Sequence, residues 1–250
     1  PLDMVTEYME EDEIDEADQE AEDQVTSIVK ENGQTEPIWI EGQKALIKSL
    51  ILSNTQAKIT KDKKNYYSVY QTLANTFQEK TFYDPKSPNG VTKRVLLSAY
   101  MDSLPEDNIA RVAWAVINVS PEKTRGGFSA SALATLHLFS SRKLAKVLQE
   151  SDFNFKDFAK GKCALFIVNP DEKKTYDSLA SIFYDQAYQA LVKVANSTPK
   201  MELDKKVHMI YDEFGNMPAI ENMNSKITVA LSRGIIYHLY VQDFSQIETT

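Results

Sequence analysis

The apolar positions of this chain follow two different rhythms. From Trp39 to about Asp157 they recur at spacings of three and four, which gathers them on one side of a helix. Tyr66, Val69, Tyr70, Leu73, Ala74 and Phe77 form one such stripe. Ile109, Val112, Ala113, Val116 and Ile117 form a second, and Leu46, Ile47, Leu50 and Ile51 a third. A longer one, Leu133, Leu136, Phe139, Leu144, Val147 and Leu148, follows Gly126-Gly127. Turn-forming residues separate the stripes at Lys58–Asn65, Asp84–Gly90, Leu104-Pro105 and Ser120-Pro121. The pattern predicts amphipathic helices packed as a bundle.

After Gly161 the rhythm changes. Cys163–Val168 is an uninterrupted apolar run, the pattern of a strand buried on both faces. A helical stripe follows: Tyr176, Leu179, Ala180, Phe183, Ala187, Leu191 and Val194. Val207–Tyr211 reads as a second strand, Asn222–Ser232 as a short helix and Ile235–Val241 as a third strand. Strands alternating with helices build a parallel sheet. The expected fold class is therefore α/β with an all-α insertion: residues 37–157 all-helical, residues 158–250 part of a parallel sheet.

Composition adds one correction to this picture. The net charge of −8 belongs to a single segment. Residues 1–29 hold twelve acids and neither Lys nor Arg, which leaves 24 acids against all 28 bases, about +4, for the remainder. Residues 1–36 are expected to be an acidic, partly disordered, solvated segment. No apolar run is long enough to cross a membrane. Cys163 stands alone, so an internal disulfide is excluded, and His137, His208 and His238 are too scattered in sequence to suggest a metal site.

Candidate chemistry concentrates near the C-terminus. The strand Val207–Tyr211 ends on two adjacent carboxylates, Asp212 and Glu213, before a Gly215-Asn216 turn. Ligands of parallel α/β sheets sit beyond the carboxyl ends of the strands. There one carboxylate can hold hydrated magnesium beside a nucleotide's phosphates and the next can polarise an attacking water. If the second and third strands lie parallel, Gln242 emerges at the same rim, where it can contact the terminal phosphate or orient that water. Arg233 precedes the third strand and is expected near the opposite end, badly placed for its own site but suited to a neighbouring subunit's. Elsewhere Lys58, Lys61, Lys63 and Lys64 precede Tyr66 and Tyr67, a basic run beside aromatics that suits DNA, cations for phosphates and rings for bases; a solvated loop accounts for the same residues.

Cys163–Asp171, the helix Tyr176–Gln189, Tyr211–Asn216, Leu231–Ile235 and Val241–Gln246, in this order, resemble the TraG/TraD family of type IV secretion coupling proteins. Pro37–Trp39 leading into Lys44–Leu52, Thr124–Gly126 before a helix, Phe139 and Asp152-Phe153 are similar too, so the resemblance spans about Trp39 to Gln246. It implies a membrane-anchored hexameric ATPase with a RecA-like nucleotide-binding domain and an all-α domain inserted in it. The cofactors it implies are ATP and Mg²⁺. The implied partners are relaxosome or effector proteins at the all-α domain, single-stranded DNA and secretion-channel components, at the cytoplasmic face of the cell membrane. Asp212 and Glu213 match the Walker B carboxylates, Gln242 the sensor glutamine and Arg233 a candidate finger arginine. By the same match, Asp212 (through water, to Mg²⁺) and Gln242 bind the nucleotide.

One departure matters. No G-x-x-x-x-G-K-[ST] loop occurs, and Gly42–Lys44 and Lys123–Gly127 lack its spacing. The chain is therefore expected to start downstream of such a loop, to stop before the last strands, and to hydrolyse no ATP by itself. Two alternatives stay open: a double-stranded DNA translocase of the FtsK/HerA type, which does not need so long a helical insertion, and a non-catalytic substrate-docking module.

Overall fold

A computed structural model of the chain describes residues 2–29, 35–149, 151–169, 174–220 and 222–243. The chain divides into two compact units, residues 1–150 and 151–250. Among the described residues no helix is long and apolar enough to cross a membrane.

The first unit is built around α3 (Pro37–Gln56), whose start is set by Pro37 in its first turn. Leu46, Ile47, Leu50 and Ile51 are almost wholly buried, as their spacing requires. Against α3 pack α2 (Ile14–Ile28), α4 (Tyr66–Thr76), α6 (Ile109–Val119) and α7 (Glu122–Leu136). Two glycines let α3 and α7 approach closely. A Cβ at Gly42 would lie 2.3 Å from the Phe128 ring, and one at Gly127 would lie 2.5 Å from the Trp39 ring. Each helix thus gives a glycine to the other's aromatic, and the two rings meet edge to face at 5.5 Å.

The acidic N-terminus departs from expectation. It forms α1 (Asp3–Glu10) and α2, and α2 buries Ala17, Ala21, Val25 and Ile28. These residues form a helical stripe among the acids; Glu20 is buried with them, and the other acids take the other faces. Lys48 of α3 binds Asp18 at 2.9 Å and Glu22 at 3.1 Å. Burial alone would lower the Lys48 pKa, but the two carboxylates outweigh it and leave it raised. Deeper in, Gln24 donates to Glu20 at 2.6 Å and accepts from the Tyr66 hydroxyl at 2.6 Å, tying α2 to α4.

Other expectations change too. The region read as all-helical contains a hairpin, β1 (Glu79–Tyr83) antiparallel to β2 (Val91–Val95), closed by the Asp84–Gly90 turn. Thr81, Phe82, Tyr83, Val91 and Thr92 favour strand over helix. On α6 the buried residues are Ala110, Trp114 and Ile117, whereas Val112 and Val116 face solvent. The large Trp114 takes the core position and rotates the valines outward. Thr124–Gly126 lies inside α7, not ahead of a helix. The long stripe after Gly126-Gly127 breaks at Ser140-Ser141 between α7 and α8 (Arg142–Gln149); α5 (Leu96–Ser103) precedes α6.

In the second unit, β3 (Val207–Tyr211) and β4 (Ile235–Leu239) pair in parallel, joined through α10 (Met223–Ala230). Val207, Met209 and Tyr237 pack on a core formed with Tyr188, Leu191 and Ala195 of α9 (Asp177–Asn196), Leu203, Ala230 and Ile235. The buried side of α9 includes Ile182, Tyr184, Asp185, Tyr188, Leu191 and Ala195, a face turned from the expected one, with only Leu191 in common. Cys163–Val168 is not a strand: it pairs with no described strand, and Phe166 and Val168 are 88 % and 90 % exposed. The turn Phe155–Ala159 packs on α9, which draws residues 151–157 into this unit and sets the division before the expected 157/158. Pro170, Asp171 and Gln246 lie outside the described residues.

Candidate functional site

Parallel pairing fixes where the polar residues emerge. Tyr211 stands opposite Leu239 at the carboxyl ends of β3 and β4. Beyond that pair the backbones stay linked: Tyr240 N–H donates to Tyr211 O at 2.9 Å, and Phe214 N–H donates to Tyr240 O at 2.8 Å. Asp212 and Glu213 leave β3 on this rim, and Gln242 reaches it three residues after β4. The Gln242 side-chain amide donates to Glu213 Oε1 at 2.9 Å. Acid and glutamine, expected at one rim, share a hydrogen bond there.

A second amide completes the hold on Glu213. Asn216, closing the 3-10 turn Phe214–Asn216, donates to Glu213 Oε2 at 3.3 Å. Sequence reading gave Asn216 only a turn-forming part. Its position three residues after Glu213, across a tight turn, is the signal that was available. Glu213 has φ +51°, the left-handed region that a residue with a Cβ enters at a cost. That backbone turn lets the Glu213 N–H donate to Asp212 Oδ1 at 3.1 Å. Both carboxylates are exposed.

Behind the rim stands an aromatic wall. Tyr211 lies 5.4 Å from Tyr184, 5.7 Å from Tyr237 and 6.2 Å from the nearly parallel Phe214 ring. Burial drives the Tyr211 hydroxyl well above its ordinary pKa, with Tyr184 and Asp185 adding to the shift. Burial does the same to Tyr237, helped by Tyr211, Tyr188 and Asp185. These phenols stay neutral and apolar in character, so the rim's charge rests on the carboxylates.

Sequence reading also missed a buried ion pair. Lys226 of α10 bonds Asp185 of α9, and both side chains are 7 % exposed. The Lys226 ammonium also lies 5.7 Å from the centre of the Tyr188 ring. The signal available was a carboxylate three residues before Tyr188 on a mostly apolar helix.

Arg233 is elsewhere. It closes the turn into β4, where Gly234 adopts φ +80°, and its guanidinium bonds Asn196 at the end of α9. The five residues of β4, at about 3.3 Å each, separate it from the carboxylate rim. His208 and His238 also belong to β3 and β4, with Nδ1 and Nε2 at 2.8 Å. The ring centres are 5.1 Å apart and the rings only 21° from parallel, as when two imidazoles meet end to end through a shared hydrogen. One nitrogen donates its hydrogen to the other's lone pair, and at 2.8 Å the two leave no room between them for a common metal ion. Among the described residues no group of three or more His, Cys, Asp or Glu is placed to hold a metal.

The four lysines belong to the first unit. Lys58, Lys61 and Lys63 are exposed around the turn Lys61–Lys63, and Lys64 is half-buried. Tyr66 is wholly buried and cannot stack on a base, whereas Tyr67 is partly exposed.

No curated protein and no solved structure matches the chain. A family model does, that of type IV secretory system conjugative DNA transfer, and it matches residues 2–250. With nearly its whole length covered, the chain belongs to the type IV secretory system conjugative DNA-transfer family.

Proposed function

We propose that this chain carries the acidic-strand half of a RecA-like ATPase core that drives conjugative DNA transfer as a coupling protein. The supporting observation is the Gln242–Glu213 hydrogen bond at the carboxyl ends of two parallel strands. A glutamine bonded to a strand-end carboxylate ties the group that activates water to the group that senses the terminal phosphate.

The residues fit Mg²⁺ and ATP by their donor chemistry. Magnesium takes oxygen ligands and keeps several of its waters, and Asp212 offers an exposed carboxylate at the rim. When bound, Mg²⁺ with ATP supplies neutralised phosphates and a reactive phosphoanhydride. Glu213 then polarises the attacking water and accepts its proton, while Asn216 and Gln242 fix the carboxylate's direction. With nucleotide bound, Gln242 would be the residue to leave Glu213 for the terminal phosphate, and so would report the nucleotide state along β4. Arg233, half-buried at the far end of β4, serves the site of an adjacent copy in a hexameric ring. The helical unit receives relaxosome or effector proteins on the way to the secretion channel, in a protein held at the membrane by other segments.

The test is MgATP turnover by this chain alone, and by a protein joining it to a glycine-rich phosphate-binding segment of the same family. Background rates from the first and turnover from the second are expected. Turnover by the chain alone that vanishes in Glu213→Gln, or none in the joined protein, overturns the reading.

A further inference from the structure

Both hydrogen bonds that aim the Glu213 carboxylate are exposed to water. Water competes for such bonds, so by themselves they hold a side chain weakly. Yet Glu213 keeps its left-handed backbone, and Asn222, just before α10, adopts one too at φ +53°. Residues with a Cβ stay in that region only where their surroundings hold them there.

The support lies behind the rim, on the buried side of α9. Ser181, one helical turn before Asp185, donates its hydroxyl to the Ala219 carbonyl at 2.7 Å. Asp185 bonds the Lys226 side chain, and the Lys226 backbone N–H donates to Asn222 O at 3.0 Å. Pro218, beside Ala219, is buried, and Tyr184 of the same side of α9 lies against Tyr211. One helix thus touches the chain where it enters the rim, at Tyr211, and twice where it leaves, at Ala219 and Lys226.

A buried ion pair holds two helices together no better than apolar side chains of similar size. What a hydrogen-bonded pair adds is direction, because apolar contact is non-directional. We propose that Ser181 and the Asp185–Lys226 pair are positioning residues, which fix the turn after β3 from behind so that the Glu213 carboxylate faces Gln242. The catalytic consequence rests on the hydrolytic reading of the rim, whereas the positioning itself does not.

The experiment is residue-resolved amide hydrogen exchange, read by NMR on the 250-residue chain. In the parent sequence the Phe214, Asn216 and Met217 amides are bonded to Tyr240 O, Glu213 O and Phe214 O. Ser181→Ala is expected to speed exchange at these three by about tenfold, the equivalent of one lost hydrogen bond. Ser181→Thr keeps a hydroxyl and restores the parent rates. Asp185→Leu with Lys226→Met keeps the packing but loses the direction, and speeds the same amides. Ser197→Ala removes a hydroxyl-to-carbonyl bond of 2.7 Å just past the other end of α9 and leaves the three amides unchanged.

In the protein joined to a phosphate-binding segment, Ser181→Ala lowers kcat with KM unchanged, and Ser181→Thr restores it. The proposal is overturned if the three amides exchange alike in Ser181→Ala and the parent, or if Ser197→Ala speeds them equally. It is also overturned if kcat survives Ser181→Ala in a joined protein whose turnover Glu213→Gln abolishes. A joined protein without turnover overturns the hydrolytic reading alone, and the exchange rates still decide whether α9 holds the rim.

Discussion

Lys226 of α10 seats its ammonium on the Asp185 carboxylate of α9 in a site that water barely reaches. Two buried charges that neutralise each other are tolerated, but one alone is not. Lys226→Met is therefore expected to cost about 3–5 kcal/mol, because it strands the carboxylate. Asp185→Leu combined with Lys226→Met should recover most of that loss. Urea denaturation of the two single variants and the double checks this. Additive losses would mean that the residues do not act as a pair.

Gly42 sits where the Phe128 ring needs the space of a missing side chain. Alanine would gain about 1 kcal/mol of helix propensity inside α3. Phe128 is fully buried and has nowhere to move, so overpacking costing about 1–3 kcal/mol outweighs the gain. Gly42→Ala should lower the melting temperature, and Gly42→Ala with Phe128→Leu should restore part of it. A higher melting temperature for the single variant would show that α3 and α7 do not approach so closely.

Tyr211 and Tyr237 make stability depend on alkaline pH. Burial raises both pKa values above the unfolded value of about 10. The folded state therefore keeps its phenolic protons while the unfolded chain loses them. Their contribution is complete below about pH 10 and is lost as pH rises beyond it, by up to about 1.4 kcal/mol per pH unit for each group. Tyr211→Phe with Tyr237→Phe should flatten that decline. Unfolding free energies measured on either side of pH 10, with phenolate absorbance as a monitor, test the sign.

How far the sequence could be read depended on which forces act locally. Helix periodicity located α3, α4, α9 and the segment of α6, because three-and-four spacing is a local property. It did not identify the buried face of α6 or α9, because Trp114 and Asp185 gain their positions from partners distant in sequence. The α2 stripe was hidden by charge: Ala17, Ala21, Val25 and Ile28 are spaced for a helix, but the acids between them read as solvated. Cys163–Val168 has the composition of a strand yet pairs with no described strand, and a strand exists only through its neighbours. At the rim, Asp212, Glu213 and Gln242 were legible because parallel strands bring their carboxyl ends together. Asn216 and the Asp185–Lys226 pair were not, since a turn's hydrogen bonds and a buried charge's partner depend on three-dimensional closure.

The most direct measurement is steady-state ATP turnover by the chain joined to a glycine-rich phosphate-binding segment, with Glu213→Gln and Gln242→Ala compared against the parent sequence. With Glu213 as the base, Glu213→Gln should lower kcat by about 10²–10⁴-fold while nucleotide binding persists. Gln242→Ala should also lower kcat, because it frees the Glu213 carboxylate from its amide partner and removes the group proposed to contact phosphate. Retention of full turnover by Glu213→Gln would contradict a hydrolytic role for this rim.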